Sequence, residues 1–368
     1  LLAEIAHDFY VGSNRFKNEK ILKHLNVTST MKKSITIKDI AKKLNVSTAT
    51  VSRALRNSSE ISKETKLAVI KIAKEMHYHP NLLARSLIKK SSKVLGVVVP
   101  TINRQFWSNS ISGIESVAYK KGYKVMIFQS AESYQKEVEI VEILANSMVD
   151  GILIAFSKET QNYDHIEDLK ERGIPVLLFE RVCDSIPISK VTTDDFLGAK
   201  RIVNHLIERG KKRIAFIGGP LSLTVCMDRF LGYKSSLVEN GIPFDQNLVI
   251  ELSEFTTELS VIAFKNLWSS GESPDAVFCF ADILALGVLA ASKELGIKVP
   301  EDLAIAGFGN DDITKYVSPS ITTMSQPSFE IGQLAAKLIL KEINFEEKDE
   351  FEYKTEIVKP DLIVREST

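Results

Sequence analysis

Residues 36–58 read TIKDIAKKLNVSTATVSRALRNS, and this stretch decides the organisation of the N-terminal part of the chain. Ile37, Ile40, Ala41 and Leu44 recur at helical spacing, which predicts a helix over 37–44. Asn45-Val46-Ser47 forms a turn, and Ser47 is placed to cap a second helix running from Thr48 to about Leu55. That spacing is a helix-turn-helix, with Ala41, Val46, Val51 and Leu55 expected to fix the crossing. The second helix would turn Thr48, Ala49, Ser52 and Arg53 to solvent near its start. In a DNA major groove, the short Thr48 and Ala49 would allow close approach and meet a thymine methyl, while Arg53 can fork onto guanine. Lys38, Thr50 and Ser52 suit phosphates, and Thr36 and Asn57 complete the expected DNA-contacting set. The competing reading is a capped surface helix and nothing more.

Moving outward, Leu67, Ile70, Ile72, Ala73 and Met76 continue the helical spacing, so a compact three-helix head is expected over 31–80. The net charge of zero conceals an asymmetry: residues 31–93 hold 15 Lys/Arg against 4 Asp/Glu, whereas 94–368 hold 28 against 40. A cationic module on an anionic body points the head toward a polyanion. Residues 1–30 read as a weakly packed extension ahead of a natural start at Met31, and they carry no secretory pattern.

From Val94 the texture changes to short β-rich runs, VLGVVVP, YKVMIF, DGILIAF, IPVLLF, RIAFIGG, DAVFCF and LAIAGF, each followed by a helix-length stretch. Alternation of this kind predicts an α/β body with parallel sheets. Gly122, Gly173, Gly241 and Gly296 fall where helices should stop. So many strands exceed one comfortable doubly wound sheet, which predicts two lobes with a ligand cleft between them. Cys183, Cys226 and Cys279 are far apart and form no C-x-x-C pair, which argues against a disulfide framework and fits a reducing cytoplasm. The most apolar run, Ala276 to Ala291, is interrupted by Asp282 and is shorter than the ~20 residues of a membrane span. No G-x-S-x-G, H-E-x-x-H or G-x-x-x-x-G-K-[ST] motif is present, so an enzyme is disfavoured. His77 and His79 do not make a metal site by themselves, and no cofactor is expected.

The runs NVSTATVSRAL, IS-KET and HYHPNLLARSL, in that order, resemble the DNA-binding region of the lactose/galactose-repressor (LacI/GalR) family, and the likeness extends from Ile35 to about Val364. The resemblance implies a hinge helix over Asn81–Ile88, within a linker over 81–93, that folds on operator DNA beside its copy from a second subunit. It implies that Leu87 wedges into the minor groove, with Ala84, Arg85 and Lys89 along the backbone or groove. For the body, VDGILI, VTTDD--GA, HLIERGKKRIAFIGG, DR--GY and ADILALGVL imply the periplasmic-binding-protein-like fold: two Rossmann-like lobes joined by three crossovers. The expected division is an N-lobe of about 94–193 and 326–344 and a C-lobe of about 194–325 and 345–368.

Carried over position by position, the effector contacts would be Phe106, Trp107, Arg229, Phe255, Asp282 and Asn310. Each has a plainer alternative: lip packing for Phe106, a structural ion pair for Arg229, a helix cap for Asp282 and core for Phe255. Two departures stand out. The run Gly307-Phe308-Gly309-Asn310-Asp311 lacks the carboxylate that many members carry just after G-[YF], and Leu223 and Val225 replace a basic residue and a hydroxyl, which disfavours a purine. The resemblance thus implies a cytoplasmic, nucleoid-associated homodimer that binds double-stranded operator DNA under control of a small-molecule effector, with a carbohydrate favoured. A free-standing sugar-binding transport protein would share the body but not the basic head.

Overall fold

The computed structural model describes residues 35–78, 91–345 and 351–368, and the chain divides into two compact units, Leu1–Leu82 and Leu83–Thr368. The extension over 1–30 and the hinge positions Ala84, Arg85, Leu87 and Lys89 lie outside the described residues, as does His79.

The first unit holds α1 (Ile37–Leu44), α2 (Thr48–Leu55) and α3 (Lys63–Glu75). Thr36 opens α1 with a reciprocal capping box, its hydroxyl and backbone N–H both donating to the Asp39 carboxylate. Asn45 closes α1 in the left-handed region at φ 52°. The Val46 N–H then donates to Ala41 O at 3.0 Å, and the turn is set. Ile40, Val51 and Val69 are fully buried, with Ala41, Ala54 and Ala73 filling the crossings. One expectation fails here. Leu67 and Ile70 are 68% and 53% exposed, because the inward face of α3 runs through Val69 and Ala73 at i, i+4 spacing and leaves 67 and 70 on the outer side.

The second unit begins with β1 (Val94–Val99), α4 (Gln105–Lys120), β2 (Lys124–Gln129), α5 (Tyr134–Asn146), β3 (Gly151–Ile154), α6 (Asp164–Glu171), β4 (Val176–Phe179) and β5 (Ser189–Thr193). After a first crossover follow α7 (Asp195–Glu208), β6 (Ile214–Gly218), α8 (Thr224–Glu239), β7 (Val249–Glu251), α9 (Thr257–Ser269), β8 (Ala276–Cys279), α10 (Asp282–Leu295), β9 (Ala304–Gly309) and β10 (Thr322–Ser325). The chain then returns through α11 (Ser328–Ile343) and ends in β11 (Thr355–Val358) and β12 (Asp361–Ile363).

Two six-stranded sheets result, in the orders β11-β5-β4-β3-β1-β2 and β12-β10-β9-β8-β6-β7. All pairings are parallel except β12 against β10. Parallel strands covered by helices on both faces are buried throughout, which explains runs such as VLGVVV and AVFC. Gly122, Gly173, Gly241 and Gly296 all take the left-handed φ their positions require.

The expected lobe boundary needs one correction. Thr355–Val358, expected in the C-lobe, pairs with β5 in the N-lobe sheet, Thr355 opposite Lys190 and Val358 opposite Thr193. Only from Asp361 does the tail join the C-lobe. On one face of the N-lobe sheet, α4 and α11 cross at contact distance. A Cβ on Gly113 would fall 2.1 Å from Phe329 O and one on Gly332 2.0 Å from Ser110 O, so only glycine permits the approach. That crossing anchors the start of α4, which carries Phe106 and Trp107 to the sheet's C-terminal edge.

Candidate functional site

In the head, the start of α2 is held by Ser47, whose Oγ accepts from the Thr50 N–H at 3.0 Å while the two hydroxyls lie 2.9 Å apart. Thr50 is therefore turned toward the cap, and Thr48 and Ala49 stand exposed on the outer face. Arg53 shares that face and is held by an exposed ion pair, Nε to Glu60 Oε2 at 3.3 Å. Such a pair is weak and gives way to a better acceptor. Ser52 Oγ accepts from Arg56 Nη2 at 2.8 Å. Lys38 is exposed, Thr36 is committed to its capping box, and Asn57 sits at φ 58° with its carbonyl accepting from Lys66 Nζ at 3.4 Å. The outer face of α2 is thus short, polar and cationic, as major-groove reading requires.

In the body, the cleft forms where the carboxyl ends of both sheets face each other. The N-lobe contributes Thr101, Arg104, Phe106 and Trp107 after β1, Glu132 after β2, and Glu180 and Arg181 after β4. Opposite stand Val225, Arg229, Phe255, Phe280, Ala281, Ile283, Phe308 and Asp311, with Gln326 at the second crossover. The rings form two plates. Phe106 meets Trp107 edge to face at 4.8 Å between centroids, and Phe255 stacks on Phe280 at 4.9 Å.

Arg229 is 3% exposed. Its Nε and Nη2 donate to Asp195 Oδ1 at 2.7 and 2.6 Å, and its Nη1 donates to Phe280 O at 2.6 Å. The guanidinium also lies 3.6 Å from the Phe308 ring centroid and 4.3 Å from that of Phe280. It both lines the cleft and fastens its floor. Arg181 grips Glu132 with two bonds of 2.7 and 3.0 Å. Glu180, buried and at φ 60°, accepts from Thr193 Oγ1 at 3.1 Å and from Gln326 Nε2 at 2.5 Å, so one carboxyl ties the first two crossovers together. Burial pushes that carboxyl above its ordinary range, against the pull of Arg229.

Four expected effector residues, Phe106, Trp107, Arg229 and Phe255, are brought together at the cleft. Asp282 and Asn310 are not among its lining. Asp282 accepts from Thr323 Oγ1 at 2.6 Å and from the Asp311 N–H at 2.7 Å, and burial raises its carboxyl to about 7. It staples the loop after β9 to the start of α10. Asn310 Oδ1 accepts from Arg365 Nη2 at 2.6 Å, which turns the side chain to the tail. Two residues beyond Gly309, Asp311 lines the cleft. Sequence reasoning also passed over Arg104, Glu132, Glu180, Arg181 and Gln326. The FER of IPVLLFER was the available signal, since charged residues directly after a buried strand mark a sheet's C-terminal edge.

The lobes are drawn together. Arg104 Nη2 donates to Phe255 O across the cleft, Lys158 Nζ to Ser253 O at 3.1 Å, Thr224 Oγ1 to Val182 O at 3.1 Å, and the Asp312 N–H to Gln105 Oε1 at 2.8 Å. The remaining cavity is about 100 Å³, below the ~300–1,000 Å³ of usual ligand sites. Admission of a ligand therefore requires the lobes to part.

A helix-turn-helix head and a two-lobed body closing on a cleft define a ligand-responsive, DNA-binding transcriptional regulator. Residues 36–81 match the profile of the bacterial regulatory proteins, lacI family, and residues 203–368 that of the periplasmic binding protein-like domain. The chain is 34% identical over 326 residues to the HTH-type transcriptional repressor PurR of Vibrio atlanticus (strain LGP32), covering 88% of this chain and 97% of that protein. It is 36% identical over 308 residues to the HTH-type transcriptional repressor CytR of Escherichia coli (strain K12), covering 84% and 89%. Among solved structures, a complex of the transcriptional regulator CelR with cellobiose superimposes with a TM-score of 0.69 at 27% identity, over 91% of this chain and all of that one. The chain belongs to the lacI family of bacterial regulatory proteins. Among the described residues no helix is long and apolar enough to cross a membrane.

Proposed function

We propose that the chain is a cytoplasmic, homodimeric repressor that acts by binding alone, with no chemical step, and that a carbohydrate in the cleft sets its affinity for a near-palindromic operator. The observation that carries this reading is a closed cleft at the carboxyl ends of two sheets, bonded shut across the lobes by Arg104, Lys158, Thr224 and Gln105. An element with an open and a closed state can be biased by whatever binds between its halves. The relation to a regulator solved with cellobiose supports a sugar, and two plates of aromatic rings suit the apolar face of one.

On this reading Arg53 leaves Glu60 for the major-groove edge of a guanine, Thr48 and Ala49 admit the helix close to the bases, and Lys38, Thr50 and Ser52 set its register on phosphates. Thr36 and Asn57 have a lesser part, being committed to their own backbone turns. The paired segments containing Ala84, Arg85, Leu87 and Lys89 deliver the state of the body to the DNA by entering the minor groove at the operator centre. In the cleft, Phe106, Trp107 and Phe255 cover the ligand, Arg229 holds the floor, and Asp282 and Asn310 position the loop that presents Asp311.

The test is selection of bound duplexes from a random pool by the full chain, repeated with and without sugars. Enrichment of a palindrome whose recovery changes with one sugar is expected; no enrichment at low salt would refute the reading.

A further inference from the structure

Three guanidinium groups and four carboxylates meet in and under the cleft, and their pairing is uneven. Arg181 is held by both oxygens of Glu132, and Arg229 is held by Asp195. Glu180 has only neutral donors at bonding distance, Thr193 and Gln326, with Arg229 at 3.7 Å. Asp311 faces the cleft with no hydrogen bond to its carboxylate among the described residues. Arg104 is thus the one cleft cation that no carboxylate grips; it donates to the backbone of Phe255 and feels both Asp311 and Glu132.

An anionic ligand entering here would find its only available guanidinium already flanked by the Asp311 and Glu132 carboxylates, with a third, Glu180, also lining the cleft. In a water-poor cleft like-charge juxtaposition costs several kcal/mol. An uncharged ligand with several hydroxyls meets the opposite situation. Its O–H groups can donate to Asp311 and Glu180, one oxygen can accept from Arg104 once the lobes part, and its C–H face can lie against Phe106 or Phe255. The carboxylate is brought to this place by the local backbone: Gly309 at φ 132° and Asn310 at φ 57° turn the chain so that residue 311, not 309 or 310, points inward.

We propose that the cleft takes an uncharged polyhydroxylated ring, read by the Asp311 carboxylate, and turns away the phosphorylated or carboxylated form of the same compound. This deepens, and rests on, the carbohydrate reading given above.

The experiment is titration calorimetry of the full chain against matched pairs: D-ribose and D-ribose 5-phosphate, D-glucose and D-glucose 6-phosphate, D-glucose and D-glucuronate, with cellobiose as an additional neutral probe. At least one neutral sugar binds, and its charged counterpart binds about 100-fold more weakly or not at all. Asp311→Asn, which keeps the shape and removes the charge, weakens the neutral sugar about 10- to 100-fold, as expected for loss of a charged acceptor, and narrows the gap to the phosphate. Ala281→Trp, which fills the cleft, abolishes binding. Tighter binding of a phosphate that Arg104→Ala removes would overturn the charge argument and leave the cleft reading standing. Sugar binding untouched by both Asp311→Asn and Ala281→Trp would overturn the cleft reading itself. Silence from every neutral sugar would overturn the assigned class.

Discussion

The outer face of α2 and the cleft of the body solve recognition in opposite ways. On α2 Thr48, Ala49 and Arg53 are exposed, and Arg53 rests in a solvent pair with Glu60. Under the cleft Arg229 and Asp195 are buried and bonded to each other, each about 3% exposed. The difference follows from the partners. DNA supplies its own dense charge and needs a surface that can rearrange on it, whereas a small ligand needs groups held in place beforehand. Substitution should therefore separate the two: at Arg53 on the outer face of α2 it changes binding and spares stability, and at Arg229 under the cleft it costs both.

The largest effect should come from Arg229→Ala, which strands Asp195 in the core without its cation. Breaking a buried pair from one side costs about 3–5 kcal/mol, so urea unfolding of the body should shift by that amount; a loss under 1 kcal/mol would mean that the pair is not the fastening described. A second probe of the buried charges is pH. The Asp282 carboxyl is raised by burial from 3.8 to about 7, so folding takes up a proton between those values. Its contribution is full below about 4 and is lost as pH rises through about 7. The melting temperature of the wild type relative to Asp282→Asn should fall over that interval, and a rise would reverse the sign of the argument.

On the head the effects are smaller and of another kind. Arg53→Ala should cost roughly 1–3 kcal/mol on the selected operator and much less on random duplex, with the melting temperature unchanged. Equal losses on both DNAs would reassign Arg53 to phosphate. The least of the series is Ser47→Ala, which removes the cap of α2 and should destabilise the head by about 1 kcal/mol, read by circular dichroism; an unaltered transition would show the cap to be idle.

The two regions also differ in how openly the sequence displays them. In the head every position proposed to meet DNA lies within one run of 23 residues, and helix periodicity with a Ser47 cap places each along the two helices. Leu67 and Ile70 misled because apolar character does not say which of two helical faces is inside. The cleft is assembled from the segments after β1, β2, β4, β6, β7, β8, β9 and β10, which no local period links. Arg229 and Phe255 could be placed only through resemblance, and Arg104, Glu132 and Asp311 not at all. Asp282 looked like a ligand contact because it is polar and follows a strand; only its bonds to Thr323 and Asp311 reveal a staple. The short strands β5, β7, β10, β11 and β12 run only three to five residues, too brief for an alternation signal, so the sequence does not show which lobe the tail joins.

In a ligand-responsive repressor the cleft and the DNA-binding head are thermodynamically linked. The direct measurement is affinity of the full chain for its selected operator with and without the cleft sugar, paired with affinity for the sugar with and without operator. Linkage requires the same factor in both directions, expected at about 5- to 150-fold. Equal operator affinity with the cleft full and empty would contradict the account, whatever else the protein binds.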